Sequence, residues 1–258
     1  MSHSVNRATM EALEHGWITS ASILVPCPWF PEAARWARAH PEADLGIHLA
    51  LNSEWTAFRW GPLSPVDAVA SLLDPDGYLP LEEETVAQRA KLPDVERELR
   101  AQIERARSAG VGITHFDSHM RALFGSAGLF DTYRRLGRDF KVPVMLPRDD
   151  HPQGVSLSER DLVLDGVLGI EPGVPPQGWA EAYEKILAPL KPGVYQLIIH
   201  LAYDDDEMRG ATWDHPDYGA GWRQRDLELV RSARFKQFLK DQGFVLVSWR
   251  DLAKAAAH

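Results

Sequence analysis

The run Gly112-Ile113-Thr114-His115-Phe116-Asp117-Ser118-His119 decides the reading of this chain, because it places two histidines and a carboxylate on a segment patterned like a β-strand. β-Branched and aromatic residues favour the pleated, half-buried surface of a sheet. Two further runs share the design: Asp44-Leu45-Gly46-Ile47-His48-Leu49 carries a histidine near its end, and Tyr195-Gln196-Leu197-Ile198-Ile199-His200 finishes on one. Imidazole is intermediate in its preference for burial and needs partners for both nitrogens when buried. Three apolar strands that each end on a histidine therefore point to a site rather than to core packing, and the chain reads as an enzyme.

Outward from these runs, strand and helix patterns alternate. Ser4 is expected to cap a helix over 4–15 that stops at Gly16. Strands are expected at 17–25, 44–51, 111–117, 142–146, 164–170, 194–200 and 244–249. Helices fall between them at 31–40, 94–109, 127–139, 179–190 and 224–242, and a last one at 251–257 closes the chain. Such alternation implies parallel strands joined by crossover helices. Seven strands led by an orphan helix suggest an eighth, so the expected architecture is α/β, a distorted (β/α) TIM-like barrel with seven strands in this chain and its first strand missing at the N-terminus. An open doubly wound sheet is the alternative. Catalytic groups of barrels lie at the carboxyl ends of the strands, where His48, Asp117, His119 and His200 fall.

At 258 residues the chain can bury a full core, and one domain spanning 1–258 is expected. Residues 52–93 carry Pro62, Pro65, Pro75, Pro80 and Pro93 with Trp55, Phe58, Trp60 and Tyr78, too long and too aromatic for a plain connector. They read as a loop insertion over a pocket. A formal charge of -9 argues against a nucleic-acid partner, and Arg97, Arg100, Arg105 and Arg107 are interleaved with Glu96, Glu98 and Glu104 as on a solvated helix face. The single Cys27 allows no internal disulfide, and the start lacks a basic region followed by an apolar one, which suggests the cytoplasm. No apolar run approaches the ~20 residues of a membrane span.

Four stretches, in order along the chain, resemble the YdjC-like carbohydrate deacetylase family. They are Ser4-Val5-Asn6-Arg7-Ala8 with Gly16-Trp17-Ile18-Thr19-Ser20-Ala21-Ser22, then Leu45-Gly46-Ile47-His48-Leu49, then Thr114-His115-Phe116-Asp117-Ser118-His119, and Gly193-Val194-Tyr195-Gln196-Leu197-Ile198-Ile199-His200. The resemblance implies a distorted (β/α) barrel that hydrolyses an N-acetyl group from an amino sugar with a divalent metal held by one Asp and two His. By position His48 and His119 are similar to the metal histidines, and His200 to a histidine near the scissile amide. The family's first strand ends in Ala-Asp-Asp and supplies the metal Asp and a second carboxylate; this chain opens at about the next residue. Arg121 stands where the family carries a further His. A groove left by an absent first strand predicts a homodimer that covers it.

The expected cofactor is a divalent metal, Mg²⁺ or Zn²⁺, with Mn²⁺ a third option, bound through the neutral imidazoles of His48 and His119. Asp117, two residues before His119, projects to the same side of a strand and is suited to ligate metal, orient a histidine, act as base or merely cap a turn. His115 reads as structural or as a support for a ligand. His200 is the candidate general acid to the leaving amine, or donor to the tetrahedral oxyanion. Arg121 and Arg148 suit polarisation of the acetyl carbonyl or a sugar hydroxyl contact, or surface ion pairs. Tyr203, Trp213, Trp222 and Trp60 offer faces to a sugar ring, and of the acidic run 204–207 Asp204 is the one expected to face the pocket. The expected reaction is attack of metal-activated water on an acetamide carbonyl. The alternatives are a metal hydrolase for an ester or a non-sugar amide, and a catalytically silent barrel that binds carbohydrate or a partner protein.

Overall fold

The strands β1 (Ala21–Ile23), β2 (Leu45–Leu49) and β3 (Ile113–Ser118) pair in parallel in the order β1-β2-β3 in the computed structural model, which describes residues 1–158 and 161–256. Helices α1 (His3–Glu14) and α2 (Phe30–Ala39) come before β2. Helices α3 (Glu83–Arg89) and α4 (Leu92–Ser108) lie between β2 and β3, and α5 (Ala127–Phe140) follows β3. A second parallel pair, β4 (Gly166–Leu168) and β5 (Tyr195–Leu197), flanks α6 (Trp179–Leu187). The chain ends with α7 (Asp206–Ala211), α8 (Ala220–Arg231), α9 (Ala233–Asp241) and α10 (Trp249–Ala256). No helix among the described residues is long and apolar enough to cross a membrane.

The seven-stranded barrel expected from the sequence is not formed: among the described residues there are two small parallel sheets, of three and two strands, and neither closes. Among the described residues, the isolated bridges Phe116 to Val144 and Pro147 to Leu164 run along the connection from β3 toward β4. The segment 142–146 does not become a strand because Pro143 and Pro147 have no N–H to donate, and proline cuts a ladder wherever a donor is required. The segment 244–249 is β-branched and apolar but belongs to no ladder, and Val245 is 81% exposed. Strand propensity cannot form a strand without an aligned neighbour. The 194–200 ladder shrinks to β5 because the backbone N–H of His200 is taken by a helix side chain, Asp226, at 2.8 Å.

Several boundaries also move. Ser2, not Ser4, caps α1, its Oγ accepting from Val5 N at 3.3 Å, while Glu207 receives the backbone N–H groups of His3 and Ser4. The single helix expected over 224–242 divides at Ser232, whose backbone is extended and whose Oγ caps α9 by accepting from Phe235 N. Residue 257, the expected end of the last helix, lies outside the described residues.

Alternation in β2 explains how the sheet positions a site. Leu45, Ile47 and Leu49 face the main apolar core with Phe30, Ala34, Leu99 and Ile103 of the flanking helices, each fully buried aliphatic side chain contributing about 1.5–3 kcal/mol. Gly46 and His48 face the other side. The register pairs Ile47 with Phe116 and His48 with Asp117, so the imidazole and the carboxylate are neighbours on one face. A bulge below them, where the register shifts between Leu45 and Ile47, turns the His115 ring over Gly46. A Cβ at Gly46 would lie 2.5 Å from His115 Nε2, which is why this position has no side chain.

Candidate active site

Asp117 is the hub. Its Oδ1 receives His48 Nδ1 at 2.7 Å and its Oδ2 receives Ser22 Oγ at 2.7 Å, so residues from all three strands of the first sheet meet at one buried carboxylate. Burial works to raise the pKa of Asp117, but the charge and hydrogen bond of His48, with His115 and Ser22, hold it below the usual carboxylate value. Burial works to lower His48, and Asp117, with Glu54 beyond it, raises it above the ordinary imidazole value. Each partner favours the other's charged form. Anchored through Nδ1, His48 keeps Nε2 without a hydrogen-bond partner among the described residues.

His119 follows β3 and begins a 3₁₀ turn, His119–Phe124, in which Met120 and Arg121 both adopt left-handed conformations, with φ of 44° and 58°. Such conformations are strained for residues with a Cβ and persist where surroundings fix them. The turn sets the His119 ring at 5.1 Å from the His48 ring, edge to face, with Trp60 at 5.6 Å on another side. Nε2 of His119 pairs with Glu54 Oε2 at 2.8 Å. Burial acts to raise Glu54, and the facing His119 outweighs it, leaving the carboxyl below its usual value. Glu54 and Trp60, from the segment expected to overlie the pocket, therefore border this site; α3 and two short 3₁₀ turns, Val66–Ala68 and Ala70–Leu72, order the segment's later part.

His200 lies beyond β5 with its ring 5.2 Å from Trp222. Its side chain reaches solvent, and partial desolvation together with the nearby charges of Arg223, His48 and His119 lowers its pKa from the ordinary imidazole value. His200 is therefore a neutral imidazole at pH 7, within the field of the other two histidines. Arg223 is pushed down to about 10 by burial, against the pull of Glu54 and Asp226, and stays charged at neutral pH. Its Nε donates to the Tyr218 carbonyl and its guanidinium lies 5.4 Å from the Trp55 ring.

The other sequence candidates are engaged elsewhere. Arg121 pairs with Asp150, and Arg148 with Asp165 at 2.8 Å, both as exposed ion pairs. Tyr203 donates to Glu11 and lies under the Arg7 guanidinium, tying α1 to the end of α8 through Arg231. Asp204 pairs with Arg209 at 2.8 Å. Trp213 is 67% exposed. Within the acidic run, Asp205 caps α7 and Glu207 caps α1. Sequence reasoning missed Glu54, Ser22, Arg223 and Asp226; the signal for Asp226 was a lone acid among Trp222, Leu229 and Val230 on the buried face of a helix.

His48, His119 and Glu54 are nitrogen and oxygen groups of the kinds that bind divalent ions, although their ligand atoms are not gathered within 4.8 Å of one another. The hydrogen bond from His48 Nδ1 to Asp117 is the arrangement that fixes the tautomer of a ligand histidine. Among the described residues it is Glu82, Glu83 and Glu84, at the start of α3, that bring three ligand oxygens within 4.8 Å of one another, and two of the three are exposed.

The sequence signature of the family described as YdjC-like protein matches residues 1–241. The chain belongs to the YdjC-like family. A carbohydrate deacetylase of Thermus thermophilus is 31% identical to this YdjC-like chain over 247 residues, covering 92% of the chain and 86% of the relative. A carbohydrate deacetylase of Brevibacillus brevis is 27% identical over 258 residues, covering 97% and 95%. The fold resembles a crystal structure of a "putative cellobiose-phosphate cleavage protein" from Enterococcus faecalis V583, with a TM-score of 0.79, 22% identity, and 97% and 94% of the two chains covered.

Proposed function

We propose that this YdjC-like chain is a carbohydrate deacetylase that hydrolyses the N-acetyl group of an amino sugar or glycoconjugate, with a divalent metal, Mg²⁺, Zn²⁺ or Mn²⁺, held by His48 and His119. The observation that carries the reading is the Asp117–His48 pair, which leaves Nε2 of His48 open beside His119 and Glu54. The names of the relatives agree with it. A bound ion would supply a Lewis acid for the acetyl carbonyl and a lowered pKa for the attacking water.

The chain's own residues divide the rest. Asp117 spends both oxygens on His48 and Ser22, so it orients His48. Glu54, a carboxylate beside His119 held below its usual pKa, takes the proton of the water. His200, neutral at pH 7, donates a hydrogen bond to the oxygen that gains charge as the carbonyl becomes tetrahedral, the role of a neutral imidazole donor. The buried Trp60 packs its ring against His119 and keeps water from that side of the site. Acetate and the free amine leave. The test is acetate release from N-acetylated amino sugars, with His48→Ala and Glu54→Gln expected to lower kcat by 100-fold or more. Full activity in either variant would overturn the assignment.

A further inference from the structure

α8 is an apolar helix toward the interior, with Trp222, Leu227, Leu229 and Val230 buried, yet it also buries Asp226 completely. An ionisable group is kept there only where donors replace water. Three converge on it. Trp179 Nε1 and Tyr183 OH of α6 donate to Oδ1 at 3.0 and 2.7 Å, and the backbone N–H of His200 donates to Oδ2 at 2.8 Å. Oδ1 alone would staple α8 to α6. Oδ2 is spent on the main chain of a proposed active-site residue, where the β4–β5 ladder has ended; the last backbone bond of that ladder runs from Ile198 N to Leu168 O. From that point the chain is held by a helix rather than by a strand. The same helix sets the Trp222 ring against the His200 ring.

We propose that Asp226 is a positioning residue for His200: through its backbone hydrogen bond and the Trp222 ring one turn away, α8 fixes where the His200 imidazole stands relative to His48 and His119. The proposal rests on the role given to His200 above. Asparagine at 226 would have to turn an amide toward one of three donors, so the backbone bond or the α6 pair must give way. Asp226→Asn should lower kcat about tenfold or more with KM changed less than threefold, the pattern of an interaction realised in the transition state. Tyr183→Phe removes a donor to Oδ1 and spares Oδ2; it should lower the melting temperature while keeping kcat within about threefold of wild type. By NMR, the His200 amide of Asp226→Asn should move upfield and exchange faster with solvent, and the His200 ring signals should shift. A His200 amide and ring unchanged in Asp226→Asn, or a kcat loss no larger than that of Tyr183→Phe, would overturn the proposal. The NMR result stands without any substrate, so absence of deacetylation would refute the function and leave the positioning claim to be decided on its own.

Discussion

Replacing Asp117 by asparagine keeps the shape of the hub and removes its charge. In the structure two donors, His48 Nδ1 and Ser22 Oγ, each lie 2.7 Å from a different oxygen of a carboxylate that is 7% exposed. A hydrogen bond to a buried charged group is worth about 1.5–3 kcal/mol, against about 1 kcal/mol for a neutral one. Asparagine can accept from His48 through Oδ1, and its amide can donate to Ser22, so the expected loss is the charge-assisted part, about 1–2 kcal/mol at pH 7. Urea unfolding read by tryptophan fluorescence should show that loss as a lower midpoint with unchanged slope. Acetate release should fall far more, by 10- to 100-fold, because His48 loses the partner that fixes its tautomer. The lowered Asp117 and raised His48 also set a pH signature. Stability from Asp117 is present above its unfolded pKa and lost as pH falls through the folded one, while that from His48 is full below its unfolded pKa and lost as pH rises through the folded one. The advantage of wild type over Asp117→Asn should therefore peak between those limits. An Asp117→Asn protein with wild-type stability and wild-type acetate release would refute the hub.

Gly46→Ala should cost about 1–3 kcal/mol in urea unfolding, because the added Cβ meets a His115 ring that Trp249, stacked at 4.8 Å, keeps from retreating. Asp226, raised by burial from 3.8 to about 6, makes the fold bind a proton that the unfolded chain has released, so this group lowers stability by up to ~3 kcal/mol as pH rises from about 4 to 6. The stability of Asp226→Asn relative to wild type should therefore improve between pH 4.5 and 7 in parallel denaturation curves, and a constant difference would contradict the raised pKa. Arg148→Ala removes an exposed ion pair with Asp165 and should change stability by no more than about 1 kcal/mol; a change in KM for an acetylated sugar would restore it to the substrate site.

The parts of this protein legible in its sequence are those decided by neighbours along the chain. Leu45-Gly46-Ile47-His48-Leu49 alternates, and it forms a central strand with its histidine on the polar face. The helices over 127–139 and 179–190 appear nearly where their periodicity placed them. What failed depends on distant partners. Phe244-Val245-Leu246-Val247 has every local mark of a strand, and nothing in four residues reveals whether a ladder lies beside them. Glu54 sits in a segment without periodicity, and only the strained turn at Met120 and Arg121 brings His119 to it. Ser22 looks like any strand serine until the order β1-β2-β3 lets it reach Asp117. Arg121 and Arg148 looked like substrate contacts by composition, and their carboxylate partners lie 29 and 17 residues downstream, beyond the reach of a local pattern.

The measurement that bears most directly on the account is acetate release from N-acetylated amino sugars by purified protein supplied in turn with Mg²⁺, Zn²⁺ and Mn²⁺, beside His48→Ala and His119→Ala. The account predicts acetate and free amine in equal amounts with at least one ion, and loss of both in either variant while the circular dichroism spectrum stays that of wild type. No acetate under any of the three ions, or equal release by the variants, would contradict a deacetylase centred on His48 and His119.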